Sequence, residues 1–351
     1  MLTKTRRMIS DEIFKITSHV KKDMWNEFIQ NHPKGNIFQT PEMYEVYKRT
    51  KKYEPVFFAV VDESDNIKAM LLAHIIREFE GFLGHLSTRS IIQGGPLYEE
   101  SEEGLNALGI LMEHYDRIAS KKVIYTEIRN RWDAFSISKN LKGMGYVYED
   151  ELNFLIDLTK PKEELWRNLS KSKRRAIRKA KEKGVIVEEM TGRDLIPIFY
   201  NLLQQTYRNA RIPLANISLF ESAFDTLVPK KYAKFFIARH NNEYIGGKIV
   251  LIYRDVIYAW YGCSSRKHSK LYPSEMVTWH TIEWGAENGY HTFDFLGVEP
   301  DEEYGVRDFK RRFGGQLVNF GRYKKIHSPM KLWLAEKGFE IWRKQWRKLK
   351  Q

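Results

Sequence analysis

Two apolar runs, Val56–Val61 and Ile67–Ile76, flank the polar stretch Asp62–Asn66, a pattern that predicts a β-hairpin. Before them, Lys21–Asn31 and Pro41–Thr50 read as helices. After them, a third strand near Ser90–Gln93 is stopped by Gly94–Gly95–Pro96, residue types that break regular structure. Leu108, Leu111, Met112, Tyr115 and Ile118 then recur with a helical period inside Leu105–Ser120, and Val123–Ile128 returns to a strand pattern. The same order comes back later in the chain. Phe235–Ala238, the turn His240–Glu243 and Ile245–Tyr253 form a second hairpin pattern, followed by strand Val256–Gly262, helix Ser274–Asn288 and strand His291–Gly297. Hairpin, strand, helix, strand thus occurs twice, and an internal repeat predicts two similar units. The predicted class is α/β (α+β): two domains, each a mixed sheet flanked by helices, spanning 1–158 and 159–328, with an amphipathic helix over 329–351.

Composition narrows this picture. Of 351 residues, 42% are hydrophobic and 14% aromatic, enough for two buried cores and incompatible with a disordered chain. Lys and Arg number 58 against 45 Asp and Glu, a formal charge of +13 that favours polyanionic partners. Cys263 is the single cysteine, so no internal disulfide can form and a cysteine-ligated metal centre is not expected. Uncharged stretches such as Ala69–Ile76 and Val256–Ser265 are far shorter than the ~20 residues that span a bilayer. Lys4, Arg6, Arg7, Asp11 and Glu12 stand where a signal peptide would need its apolar core, so the expected location is the cytoplasm.

Several segments, in order over about 290 residues, resemble one family. They are "NIFQTPEMYEVYK" at Asn36–Lys48, the Gly95–Pro96 step, "RRAIRKAKEKGV" at Arg174–Val185, "QQTYRNARIP" at Gln204–Pro213, the stretch Val256–Val298, and "DFKRRFGGQLVNFGRY" at Asp308–Tyr323. Together they resemble the Fem-type peptidyltransferases of the GNAT-like N-acyltransferase superfamily. The resemblance implies two tandem GNAT-like domains. It also implies transfer of an aminoacyl group from aminoacyl-tRNA, as co-substrate, to an amine of a phosphorylated or lipid-linked cell-wall precursor peptide, with no cofactor or metal.

Within that frame, Lys310 in "FKRRFGG" matches a lysine at the reacting centre, where a fixed cation would stabilise the oxyanion formed on amine attack. The family's Asp–Pro pair on the first-domain strand is replaced here by Glu127, Ile128, Arg129 and Asn130, which makes Glu127 a candidate base, with Asp294 in "TFDFLGV" a second carboxylate. Lys48 and Arg208 match basic positions that contact the precursor's diphosphate, a group suited to Lys and Arg. Tyr258 and Tyr261 are candidates to line the acceptor cleft. The densest charge lies in Trp166–Gly184, where Ala176, Ile177 and Ala180 give a thin apolar stripe; Lys173, Arg174, Arg175 and Arg178 are the expected tRNA contacts.

From Leu332 through Ala335, Phe339, Trp342, Trp346 and Leu349, apolar residues recur on one helical face edged by Lys and Arg. That pattern suits peripheral contact with anionic membrane at its inner face, where a lipid-linked acceptor would lie, as well as packing on the protein. Two rival functions remain. An acyl-coenzyme A-dependent GNAT enzyme would cradle pyrophosphate at Arg266–Ser274, but this turn contains no glycine to let phosphate approach the backbone. A non-catalytic basic binder of nucleic acid or precursor is the other. No P-loop, G-x-G-x-x-G, G-x-S-x-G or H-E-x-x-H motif is present, which demotes nucleotide hydrolysis, Rossmann redox chemistry, serine hydrolysis and zinc proteolysis.

Overall fold

A computed structural model describes residues 6–9, 12–77, 88–210, 212–297, 304–334 and 337. The chain divides into two compact units. The first comprises residues 1–149 and 320–351 and the second residues 150–319.

Strands β1 (Arg6–Ile9), β2 (Glu12–Thr17), β3 (Tyr53–Val61), β4 (Ile67–Arg77), β5 (Thr88–Gln93), β6 (Leu97–Tyr98), β7 (Tyr125–Arg129) and β8 (Val147–Glu149) build the first sheet, joined by β16 (Arg322–Ile326) from the far end of the chain. Its order is β1-β2-β3-β4-β5-β7-β16-β8, with β6 also paired to β4. The second sheet contains β9 (Leu152–Asp157), β10 (Ile186–Glu189), β11 (Ala233–His240), β12 (Glu243–Tyr253), β13 (Val256–Ser264), β14 (Thr292–Asp294) and β15 (Gln316–Asn319), in the order β10-β11-β12-β13-β14-β9-β15.

The predicted repeat is present as topology. In the first unit the hairpin β3–β4 and strand β5 lead through helix Glu102–Lys122 to β7, which lies parallel to β5. In the second, β11–β12 and β13 lead through helix Pro273–Glu287 to parallel β14. A parallel pair needs a crossover, and the helix supplies it. Each helix packs its apolar face on its own sheet: Leu108, Leu111, Met112 and Tyr115 in the first core, and Met276, Val277, Trp279 and Ile282 in the second.

The boundaries differ from those expected. Residues 150–158 go with the second unit and 320–328 with the first, because β9 pairs with β14 and β15 whereas β16 pairs with β7 and β8. The fifth position of each repeat is filled by a strand remote in sequence, and a linear division cannot represent that exchange. Of the C-terminal helix, residues 329–334 are helical and expose Met330, Trp333 and Leu334; Ala335, Phe339, Trp342, Trp346 and Leu349 lie outside the described residues.

Candidate active site

In the second sheet, β13 pairs with β14 only from Val256 to Tyr258. Beyond the Tyr258–Asp294 pair, β13 runs on to Ser264 while the other chain turns away through Phe295, Leu296 and Gly297. A bulge in the β12–β13 register at Trp260 bends β13 at the same level. The two parallel strands therefore part at their C-terminal ends, where open α/β sheets place their ligands. The first sheet does not part in this way: β5 and β7 stay in register from Arg89–Tyr125 to Gln93–Arg129.

The turn after β14 is fixed by side chains. Leu296 and Gly297 both have positive φ, of 60° and 77°. Asp294 accepts hydrogen bonds from the Leu296 amide and from Asn153 Nδ2, both at 2.6 Å, and Asn153 Oδ1 accepts from the Gly297 amide at 2.9 Å. The positive φ favours glycine at 297, and a Cβ there would lie 2.6 Å from Glu151 Oε1, so the Glu151 carboxylate would have to shift. Held in this shape, the turn presents its Phe295 and Gly297 carbonyls to Lys310 Nζ, which donates to them at 2.9 and 2.5 Å.

Lys310 is half-buried in the last turn of helix Tyr304–Arg311. Phe309 and Phe313 anchor that helix in the core, and Lys173 lies over their rings at 3.6 and 5.2 Å while pairing with Glu275 at 2.9 Å. The two glycines of "FKRRFGG" let the chain leave the helix closely: a Cβ on Gly314 would meet the Asn168 carbonyl and one on Gly315 the Leu155 carbonyl.

A second lysine was not among the sequence candidates. Lys248, on β12, has Gly262 of β13 as its register partner, and a Cβ at Gly262 would sit 4.0 Å from Lys248 Nζ. Nζ also lies 5.9 Å from the centre of the Phe295 ring. Burial, reinforced by the charge of Lys310, pushes its pKa down to about 7. Its sequence signal is a lone cation in the otherwise apolar run Ile245–Tyr253.

The other candidates divide. Asp294 is buried, and its Oδ1 accepts both hydrogen bonds that hold the turn. Tyr258 is buried on the Asp294 row, and Tyr261 packs its ring on Phe220 and Tyr207. Arg208 is exposed near the end of helix Ile196–Ala210, two residues past Thr206, whose hydroxyl accepts from the Ser264 amide at the open end of β13.

In the first unit, Lys48 is exposed in the last turn of helix Pro41–Arg49. The motif preceding it is architectural. The Gln39 amide bridges Leu72 of β4 and the Gln93 carbonyl of β5, and Asn36 binds the Gly94 carbonyl; side chains at Gly94 and Gly95 would collide with both. Glu127 does not suit the role of base. Burial raises its pKa, but Arg129, bonded to it at 2.8 and 3.1 Å, with Arg322 and Lys324 close by, outweighs burial and holds it below the usual carboxylate range. A carboxylate so stabilised is a poor proton acceptor.

The basic helix Lys171–Glu182 also divides its charges. Lys173 is buried, and Arg174 Nη1 bonds the Arg167 and Leu169 carbonyls at the end of the preceding helix Lys162–Asn168. These two are occupied by structure, contrary to expectation. Arg175 and Arg178 are exposed.

Comparison with known proteins agrees with this geometry. Residues 167–311 match the family model described as an acetyltransferase (GNAT) domain. A lipid II:glycine glycyltransferase of Staphylococcus aureus is 20% identical, the alignment covering 85% of this chain and 90% of the relative. The crystal structure of FemX superposes with a TM-score of 0.68 at 17% identity, covering 89% of this chain and 97% of that one. The chain is a GNAT-type acyltransferase of tandem fold that resembles the Fem-type proteins. The tandem architecture extends beyond Fem-type proteins. A tandem GNAT protein from the clavulanic acid biosynthesis pathway superposes with a TM-score of 0.55 at 10% identity, covering 88% of this chain and 94% of its own. Among the described residues no helix is long and apolar enough to cross a membrane, and no His, Cys, Asp and Glu cluster could hold a metal ion.

Proposed function

We propose that this protein transfers an aminoacyl group from aminoacyl-tRNA to an amine of a lipid-linked or otherwise phosphorylated cell-wall precursor peptide. The observation that carries this reading is the Lys310 ammonium, held by two backbone carbonyls beside the parted strands β13 and β14. An amine attacking an aminoacyl ester pushes the carbonyl π pair onto oxygen, and a cation already fixed there lowers the barrier without reorganisation. The relative named as a lipid II:glycine glycyltransferase supports the acceptor class. Arg175 and Arg178, exposed on the basic helix, and Arg208 near β13 suit phosphate contacts.

The local chemistry favours this donor over acyl-coenzyme A. In the turn before helix Pro273–Glu287, Pro273 lacks an amide hydrogen at the first helical position, Glu275 brings a carboxylate into the first turn, and no glycine is present. Each feature weakens a pyrophosphate cradle. The test is incubation of the purified protein with lipid II and either a pool of aminoacyl-tRNAs or acetyl-coenzyme A, with products identified by mass spectrometry. Amide formation from the tRNA esters is expected; transfer from the thioester alone would reverse the assignment.

A lipid-linked acceptor also gives a role to exposed Met330, Trp333 and Leu334. Contact with anionic lipid there should make the full chain cosediment with phosphatidylglycerol vesicles, and deletion from Met330 onward should reduce it severalfold. Equal partitioning would remove the membrane from the account.

A further inference from the structure

We propose that Lys248 is the proton acceptor for the attacking amine, paired with Lys310 across the parted end of the second sheet. This rests on the acyl carbonyl being bound at Lys310, as in the function proposed above.

The two lysines have the same chemistry and opposite surroundings. Lys310 Nζ donates to two carbonyls, which favour the charged form. Lys248 Nζ makes no hydrogen bond and no ion pair among the described residues, and it projects from a central strand past Phe295, the residue whose carbonyl holds Lys310. The titratable groups facing it are Lys310 from helix Tyr304–Arg311, which opposes its protonation, and Cys263 from β13. Burial keeps Cys263 a thiol, with its pKa pushed far up. Desolvation and the neighbouring Lys310 charge therefore release the Lys248 proton near neutral pH. Two like groups held in different protonation states by their environments define an acid–base division of labour.

Access is built in. Gly262, opposite Lys248, is exposed and has no side chain, so the amine is reached across it rather than sealed beneath β13. In the step proposed, the acceptor nitrogen bonds to the ester carbon and the π pair moves to oxygen beside Lys310. The proton lost from nitrogen passes to neutral Lys248. Collapse breaks the carbon–oxygen bond, and the departing ribose oxygen takes that proton. Ester and amine become amide and alcohol, and both lysines return to their starting states.

Two measurements test this. The first needs no substrate: trace labelling with acetic anhydride between pH 5 and 11, read lysine by lysine by mass spectrometry. Lys248 should reach half its maximal reactivity near pH 7, and Lys310→Met should move that midpoint upward. A midpoint in the ordinary lysine range near 10, or no labelling of Lys248 at any pH, would overturn the proposal whatever the donor is. The second is single-turnover transfer from aminoacyl-tRNA to lipid II. Lys248→Met should lower the rate constant roughly 100-fold or more, abolish its rise through pH 7, and leave KM within about threefold. Trimethylamine, which accepts a proton but cannot form the amide, should restore part of the rate. An unchanged pH profile in Lys248→Met overturns the role of Lys248 with the transferase reading intact. Failure of wild type to use any aminoacyl-tRNA overturns that reading, and the labelling then decides alone whether Lys248 is a neutral amine.

Discussion

Lys248 is placed where it costs stability. Its pKa in the fold, about 7, lies below the ~10.4 of an unfolded lysine, so between these values the unfolded chain binds more protons and stability rises with pH. The penalty is fully present below pH 7 and fades as pH approaches 10.4. Replacing Lys248 with Met should therefore stabilise the protein at pH 7 by about 1–3 kcal/mol, allowing for partial solvent access, and the gain should shrink toward zero near pH 10. Denaturant midpoints of both proteins across that range measure it; a destabilised variant at pH 7 would show the amine to be well solvated. Gly297 makes the complementary point. Its φ of 77° strains any side chain, and a methyl group there would also push the Glu151 carboxylate aside. Gly297→Ala should cost about 1–2 kcal/mol and displace the carbonyl that holds Lys310, so transfer should fall further than stability alone explains. Normal transfer in that variant would show that the turn is not what aims the ammonium. Both residues were hard to see in sequence for one reason: their roles depend on β13 and β14 parting, and nothing local to either residue announces it.

At the scale of elements, most of the repeated unit was legible. Long apolar runs around polar turns defined β3–β4 and β11–β12, a helical period over Leu105–Ser120 marked helix Glu102–Lys122, and the helix read at Ser274–Asn288 is Pro273–Glu287. Orientation of charge on the basic helix was not. Lys173 and Arg174 look like their neighbours in composition, yet one is buried under two phenylalanines and the other caps the preceding helix. The structure separates their effects. Lys173→Ala should strand Glu275 and loosen the helix bearing Lys310, at a cost of about 2–4 kcal/mol for a largely buried pair. It should leave the salt dependence of tRNA binding unchanged. Reversing Arg175 and Arg178 to Glu should do the converse, reducing the slope of log K against log salt by about 2 with little change in melting temperature. Filter binding at several salt concentrations, beside thermal melts, distinguishes the two; an unaltered slope in the double variant would take this helix out of the tRNA interface.

For the whole molecule, the repeat predicted two units and the topology contains them, but the division is not linear. β9 completes the second sheet and β16 the first, and neither Leu152–Asp157 nor Arg322–Ile326 was among the strands read from the apolar pattern. The duplicated halves have also diverged in the feature that matters: the second sheet opens beside Lys310, and the first stays closed with Glu127 locked among cations. The chemistry proposed for Lys310 and Lys248 therefore belongs to the second unit alone. The most direct test is the single-turnover rate of aminoacyl transfer from tRNA to lipid II by wild type and by Lys310→Met, with folding verified by thermal melting. Loss of roughly 100- to 1,000-fold in rate from a folded variant is the predicted result; a rate within threefold of wild type would contradict the assignment of Lys310 to the oxyanion.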